Sequence, residues 1–559
     1  MSSLFGFLDS SNFRCNAIVL AIISILGFLA YGNSFDVPFY YDDYHVILQR
    51  EVIKSLENSF WGIYDSRGVA LFSFAVNYFF SEFDVWSYHF LNLIFHIATS
   101  FFVFLLVERV SSPRRGVAFF VALIFLLHPV QTQAVTYITQ RMAILACLFS
   151  LGAILLYLSA WRAKGGRRSL LYLGATAAAV LALLSKEHVV VLPALLVLVI
   201  WCHDISAFKF RKAVFFALPL TIVISLVVLS VFLPSVVLVK ENQMVRGGSA
   251  ERHTRGVELF YYADEAQTQI ESALASQIPD ARLRYLATEL RVLGKYWQLF
   301  LYPKDQALDY SWPLVSTVWT FKTFALLLLL AGGLVVAYCL RNRRPLVLFS
   351  LLWILLGLLV ESSIIPLDPI FEHRMYLPLP GFALLVQQGG EAVLSQRNLT
   401  ILATGILLVL LVLTVGRNDD WRDPVAFWED NLRQAPYSFR VTAGLAQAYV
   451  EGGREGETLA LLEPFYATPP WPGLYHNDLY FNNLIELGKA YYRRGLIAKA
   501  QELFERGARW YPQKADPLLY LALLAQDSGN NRLARGYLEK ARRLAPLDPA
   551  VQAASKAIH

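Results

Sequence analysis

The sequence predicts an all-α fold, a polytopic helical membrane bundle followed by a C-terminal helical-repeat solenoid. Three observations predict it. The 559 residues are 56% hydrophobic and only 16% charged, against about 25% charged in a soluble domain. Apolar runs of membrane-spanning length recur through the first three quarters of the chain. The last quarter reads as ordinary amphipathic helix with a fixed period.

The spans come first. About eleven runs approach the roughly 20 apolar residues a crossing needs. They centre on 17–31, 90–107, 117–127, 143–160, 170–184, 189–201, 213–233, 321–340, 346–360, 376–386 and 401–415. The third, sixth and tenth are short. The run after Arg14 resembles a signal peptide, but Gly32-Asn33-Ser34 is a poor cleavage site, so it reads as an uncleaved first span. The net charge of +6 is carried by short basic loops between spans: Arg109 with Arg114-Arg115, the stretch from Arg162 to Arg168, Lys209 with Arg211-Lys212, then Arg341, Arg343, Arg344 and Arg397. With the N-terminus inside and eleven spans, every such loop falls on the cytoplasmic side. Membrane topology therefore accounts for the basic balance, and no nucleic-acid partner is expected. Two long segments, 32–88 and 234–320, fall outside, with aromatic stretches (Phe60-Trp61, Tyr78-Phe79-Phe80, Tyr296-Trp297) suited to the membrane surface. Cys15, Cys147, Cys202 and Cys339 lie in or beside apolar runs and show neither disulfide nor metal spacing.

The repeats follow. Pro512 and Pro546 are 34 residues apart, as are Leu487 and Leu521, Ala500 and Ala534, and Gly507 and Ala541. Phe504 aligns with Leu538, and Gly488 and Tyr491 take first-helix positions. This period and residue order match the tetratricopeptide repeat. A weaker copy begins near Leu445 and Tyr449. The domains divide at 1–416, the transmembrane domain, and 417–559, the repeat domain outside the cytoplasm.

Ionisable residues at the outer boundary are the candidates for chemistry. Asp42 and Asp43 follow the first span. Adjacent carboxylates repel, so one pKa rises, which suits a general base. The pair could equally ligate a divalent cation, Mg or Mn, or cap the next helix, and chemistry alone leans to the cap. His89, Asn92 and His96 share a helix face and read as a satisfied polar stripe between helices. Arg141, Lys186, His188, His373 and Arg374 all fall outside. Each alone reads as a snorkelling or ion-paired side chain, Glu372–Arg374 for example. Together they break the positive-inside trend and point to an anionic ligand. There is no P-loop, no GxGxxG after a strand and no HExxH.

Several segments in order carry a family likeness: Asn33 to Asp43 (NSFDVPFYYDD), Trp86 to His96 (WSYHFLNLIFH), His128 to Arg141 (HPVQTQAVTYITQR) and Lys186-Glu187. Arg291 to Tyr310 (ending YPKDQALDY), Glu372 to Gly381 (EHRMYLPLPG) and Arg417 to Trp428 (RNDDWRDPVAFW) complete the set. The chain resembles the transmembrane-and-tetratricopeptide-containing (TMTC-like) O-mannosyltransferases and their bacterial relatives, of the GT-C superfamily. The resemblance implies a GT-C fold and an inverting glycosyltransferase that uses a polyprenyl-phosphate sugar, with Ser or Thr of a protein as acceptor. Its base maps to Asp43 or its neighbour Asp42. The donor phosphate would sit among Arg141, Lys186, His373 and Arg374, supported by Glu372, Glu187, His128, His89 and Arg67. The tetratricopeptide groove would recruit a polypeptide or another subunit. A divalent cation is the one cofactor entertained. Arg67 is followed by Gly68 where the family pattern has Pro, and the repeat array is shorter than in animal members. The compact size points to a bacterial inner membrane with a periplasmic site. Three rivals stay open: a lipid or glycan acceptor, a transporter of a lipid-linked substrate, and a non-catalytic scaffold.

Overall fold

The computed structural model describes residues 10–64, 66–111, 115–203, 210–231, 281–363, 367–436, 438–466, 478–546 and 548–557. The expected outer segment 234–320 lies outside the described residues up to 280. Among the described residues the regular structure is helical throughout. In chain order the first unit holds α1 (Ser10–Tyr31), α2 (Leu56–Trp61), α3 (Gly68–Ser81), α4 (Val85–Ser111), α5 (Arg115–Leu127), α6 (Thr132–Val135), α7 (Arg141–Arg162), α8 (Gly165–Leu183), α9 (Leu192–His203) and α10 (Phe210–Val231). Then come α11 (Ala281–Leu301), α12 (Phe321–Leu340), α13 (Pro345–Leu358), α14 (Leu379–Val393) and α15 (Gln396–Asp420).

Each of the eleven apolar runs forms a helix, but they are unequal. Among the described residues, five helices are long and apolar enough to cross a membrane. A sixth crossing is made if Arg115–Leu127 and Pro129–Val135, bent by 53°, count as one. The bend falls at His128-Pro129, where proline cannot donate to the helix ladder. The remaining apolar helices are shorter or carry the flanking charges of a loop. The shorter ones include Glu187–His203 and Pro345–Leu358. Buried among other helices, such helices satisfy their backbone without spanning the full hydrocarbon width. The chain is thus a multi-pass membrane protein.

The segment between α1 and α4 is an ordered cap. Ile47, Ile53, Leu71 and Phe74 pack with Tyr88 of α4 and with Met142 and Leu145 of α7 in one apolar cluster. Ser55 caps α2, its hydroxyl accepting from the Asn58 N–H. Phe60, Trp61, Phe79 and Phe80 are exposed, as a membrane-surface face requires. Tyr296 behaves otherwise, being fully buried with its hydroxyl donating to the Phe371 carbonyl at 3.2 Å.

The departure at Gly68 has a steric cause. A Cβ there would lie 2.3 Å from the Gly62 carbonyl oxygen and 2.6 Å from that of Ile63, and backbone cannot swing away. Gly68→Ala is expected to destabilise by about 3 kcal/mol through overpacking, read as a lowered melting temperature of the purified protein. An unchanged melting temperature would contradict this packing.

The second unit contains 309–311 and 423–559. Its helices are α16 (Pro424–Gln434), α17 (Phe439–Glu451), α18 (Glu455–Tyr466), α19 (Asp478–Arg493), α20 (Ile497–Trp510), α21 (Asp516–Asp527), α22 (Asn531–Leu544) and α23 (Pro549–Ala557). Consecutive helices pair across short turns. A Cβ on Gly488 of α19 would come within 2.5 Å of the Phe504 ring of α20, so the small and large positions of the 34-residue period face each other. The first unit ends at Arg422, not at 416. The reason is that 417–421 is tied to the membrane bundle: Asn418 donates to the Ala30 carbonyl at 2.9 Å and accepts from the Thr136 hydroxyl at 2.6 Å.

Candidate active site

The segment between α1 and α4 delivers two carboxylates with different surroundings. Asp43 is 1% exposed. Its Oδ2 accepts the Tyr40 N–H at 3.0 Å, and its Oδ1 accepts the Thr139 N–H at 2.7 Å together with the Thr139 hydroxyl. Three donors converge on one carboxylate, pinning the turn to the segment that enters α7. Burial pushes the Asp43 carboxyl up to about 7, against the pull of the Thr139 and Tyr40 hydrogen bonds. Asp42 is only partly buried. Its backbone N–H donates to the Tyr137 hydroxyl at 2.9 Å, which fixes where its side chain starts. Tyr41, just before it, has φ 35, a left-handed conformation that non-glycine residues avoid and that concentrates at functional sites. Asp43 therefore holds the turn, and Asp42 is the less buried of the two carboxylates. The sequence had favoured Asp43 as the base.

Around Glu361, just after α13, the cations gather. Lys186 Nζ lies 3.1 Å from Glu361 Oε1, and Arg374 Nε lies 3.9 Å from the same oxygen. Arg374 Nη1 also donates to the carbonyls of Asp368, Pro369 and Glu361, and its guanidinium lies 5.3 Å from the Phe371 ring centre. Burial alone would raise the Glu361 carboxyl, but the Lys186 ammonium and the Arg374 guanidinium overcome it and hold it below the usual carboxylate range. Beside this group, Glu187 grips Arg67 through two contacts, Nε to Oε1 at 3.0 Å and Nη2 to Oε2 at 3.3 Å, and accepts the Ser66 hydroxyl. Arg67 takes φ 60 at the start of α3, so this pairing is made from a strained backbone. Glu187 first, with Asp42 and Glu361 beyond it, outweighs partial burial and raises the Arg67 pKa.

No family model matches this chain, and no solved structure matches it. Curated proteins do. A protein O-mannosyl-transferase of Caenorhabditis elegans is 23% identical over 475 residues, which cover 78% of this chain and 60% of that protein. The protein O-mannosyl-transferase TMTC3 of Mus musculus is 31% identical over 182 residues, 30% of this chain and 19% of the mouse protein. Mouse TMTC1 is 30% identical over 163 residues, 26% and 17% respectively. This chain is similar to the TMTC protein O-mannosyl-transferases. It spans less than two thirds of the length of each of these relatives.

The residues that the TMTC likeness assigns to a donor phosphate divide into two groups. Lys186 and Arg374 meet, as described. Arg141 does not join them. It is 0% exposed, and its guanidinium donates from Nε to Asn92 Oδ1 at 2.5 Å, from Nη1 to Asn77 Oδ1 at 2.6 Å and from Nη2 to the Tyr88 carbonyl at 2.9 Å. With the Phe74 ring centre 4.6 Å away, it is a strut between α3, α4 and α7. Arg141→Lys, lacking the planar fork, is expected to lower stability by about 3 kcal/mol while the folded fraction keeps its affinity for a lipid phosphate. Measuring melting temperature and phosphate binding on one preparation checks this, and lost affinity at unchanged stability would contradict it.

His373 is close to Lys186 and Arg374 but is not a cation. Burial first, then Lys186, holds its pKa well below the ordinary value. Its Nδ1 donates to Gln133 Oε1 at 3.0 Å, leaving Nε2 as an acceptor. Glu372 pairs with neither Arg374 nor Lys186. Its Oε2 accepts from the Gln306 amide at 2.8 Å and its Oε1 from the Ala307 N–H at 2.9 Å, anchoring the segment after α11. His128 stacks on Phe300 and donates from Nε2 to its carbonyl at 2.9 Å. His89 donates from Nε2 to the Val37 carbonyl at 2.8 Å, holding the loop that leads to Asp42. His96 bonds the Tyr376 hydroxyl at 2.7 Å, so the stripe on α4 is the packing feature the sequence suggested.

Sequence reasoning missed Glu361, Gln133 and Thr139. Glu361 carried a signal, a lone carboxylate where an apolar run meets the outer boundary. Gln133 and Thr139 are uncharged residues in HPVQTQAVTYITQR and carried none. The residues present do not fit a divalent-cation site at Asp42-Asp43. Both Asp43 oxygens are engaged by protein donors, and among the described residues no group of three or more His, Cys, Asp or Glu comes together.

Proposed function

We propose that this chain is an inverting glycosyltransferase that moves a monosaccharide from a polyprenyl-phosphate donor to a hydroxyl of a protein, Ser or Thr, at the non-cytoplasmic face of a membrane. The observation that carries the reading is the buried Lys186–Glu361–Arg374 group, two cations held on one carboxylate. The animal relatives, named as protein O-mannosyl-transferases, supply the reaction class and the protein acceptor.

In this mechanism Asp42 takes the proton of the acceptor hydroxyl as its oxygen attacks the anomeric carbon. The bond from that carbon to the phosphate oxygen breaks, and the electron pair leaves with the polyprenyl phosphate. Lys186 and Arg374 stabilise that oxygen as its charge develops. Asp43 fixes the Asp42 turn through Thr139 and Tyr40. Arg67 is gripped by Glu187. Glu361 keeps the cations paired until the phosphate arrives. The positive-inside pattern supports the sidedness, and the helical pairs of the second unit would present a tetratricopeptide groove to the acceptor polypeptide. The relatives named above are animal proteins, so the expected bacterial inner membrane draws no support from them.

Reconstitution in lipid nanodiscs with a polyprenyl-phosphate mannose and a Ser/Thr-rich peptide tests the reading. Glycopeptide and free polyprenyl phosphate should appear in equal amounts by mass spectrometry. Donor bound but never consumed would favour a transporter, and sugar found only on lipid would move the acceptor.

A further inference from the structure

A second site lies away from the proposed centre, in the bundle of α7, α8, α9 and α10. It is a cavity of about 700 Å³ whose lining includes Tyr157, Arg168, Tyr172, Thr176, Leu196 and Pro219. Its origin is legible. Ala153 and Ala175 leave room on α7 and α8, and Pro219 inside α10 removes a backbone donor and prevents a close-fitting helix there. Arg168 to Thr176 spans eight residues of α8, about 12 Å of helix at ~1.5 Å per residue. A cavity of that run, walled by apolar side chains, has the shape of a lipid chain lying along the helices.

One end is polar in a particular way. Among the described residues Arg168 has no hydrogen-bond or ion-pair partner. Lys164 and Arg167 beside it are likewise without a carboxylate partner among the described residues, and Arg162 is matched only by the His203 ring, at 2.7 Å. The first turn of α8 has no side-chain cap, since its N-cap is Lys164, so its N–H groups face the same end. One turn further in, the Tyr172 hydroxyl is buried with no hydrogen-bond partner, and Tyr172 is part of the cavity lining.

We propose that this cavity is a binding site for an anionic phospholipid, with one acyl chain along α8 and the headgroup phosphate at Arg168 and the uncapped start of α8. Charge selects the occupant. A zwitterionic lipid would fill the groove equally well but would leave the run of cations from Arg162 to Arg168 uncompensated. The basic loop places the site in the cytoplasmic leaflet. It does not depend on the proposed transfer reaction.

The test is native mass spectrometry of the full-length protein, released from nanodiscs of phosphatidylglycerol mixed with phosphatidylcholine of the same chain length. The intact protein should retain phosphatidylglycerol about five-fold over phosphatidylcholine, the scale set by one basic group near an anionic headgroup. Arg168→Gln, an exposed change that leaves the bundle intact, should remove most of that preference. Thr176→Trp, which fills the groove, should lower retention of both lipids. Equal retention of the two lipids, or an unchanged preference in Arg168→Gln, would overturn the proposal. So would displacement of the phosphatidylglycerol by polyprenyl phosphate, which would assign the groove to the donor.

Discussion

Asp42→Asn should lower the rate of sugar transfer by about a thousand-fold, the scale of a lost general base, with unchanged expression and melting temperature. The amide keeps the size of the side chain and removes its charge and its capacity to take a proton. Asp43→Asn should also lose activity, for a different reason. Its carboxylate accepts from the Tyr40 N–H and from both donors of Thr139, and an amide nitrogen in place of one oxygen would face a donor. The expected loss is about 2–3 kcal/mol of stability, as for hydrogen bonds to a charged group. The pH dependence separates the two further. The Asp43 pKa is raised from 3.8 to about 7, so the folded state binds this proton more tightly than the unfolded chain. Its contribution to stability is fully present below pH 3.8 and is lost as pH rises through about 7. The corresponding fall in melting temperature should persist in Asp42→Asn and flatten in Asp43→Asn. If Asp43→Asn were inactive at full stability while Asp42→Asn stayed active, the roles would be reversed.

The second large effect concerns the cations and has two signs. Lys186→Gln and Arg374→Gln should each weaken binding of a bare polyprenyl phosphate by about ten- to a hundred-fold, the equivalent of one or two charge-assisted hydrogen bonds. Glu361→Gln should do the opposite. The Glu361 carboxylate is held by Lys186 and Arg374, the two cations proposed to receive the phosphate. Removing its charge takes away the carboxylate that both buried cations share, a loss of about 3 kcal/mol or more in stability, and a bound phosphate would restore it. Isothermal titration against the three variants reads all of these. Glu361→Gln binding phosphate more weakly than the unsubstituted protein would show that Glu361 supports the site rather than competes for it.

The fold was legible because its main signal is local. An apolar run declares a membrane helix without knowledge of its neighbours, and each of the eleven runs is helical. What the runs could not declare is which of them reach full spanning length, since that depends on burial among other helices. The candidate site was legible only in part. Asp42-Asp43 and Lys186 stood out because charge at a membrane boundary is expensive. Arg141 stood out for the same reason and proved to be a strut. Its partners Asn77, Asn92 and Tyr88 come from two other helices, and nothing in the sequence around Arg141 names them. Glu372 and Glu361 show the reverse error. Glu372 lies two residues from Arg374 yet bonds the segment after α11, while Glu361, farther along the chain, meets the arginine. Sequence proximity selects the wrong carboxylate when the backbone turns between the two groups.

The most direct measurement is a structure of the protein with a polyprenyl-phosphate analogue bound. The phosphate should be held by Lys186 and Arg374, with Glu361 displaced and the Asp42 carboxylate facing the position of the anomeric carbon. A phosphate seated away from both cations, or an Asp42 turned from it, would contradict the account.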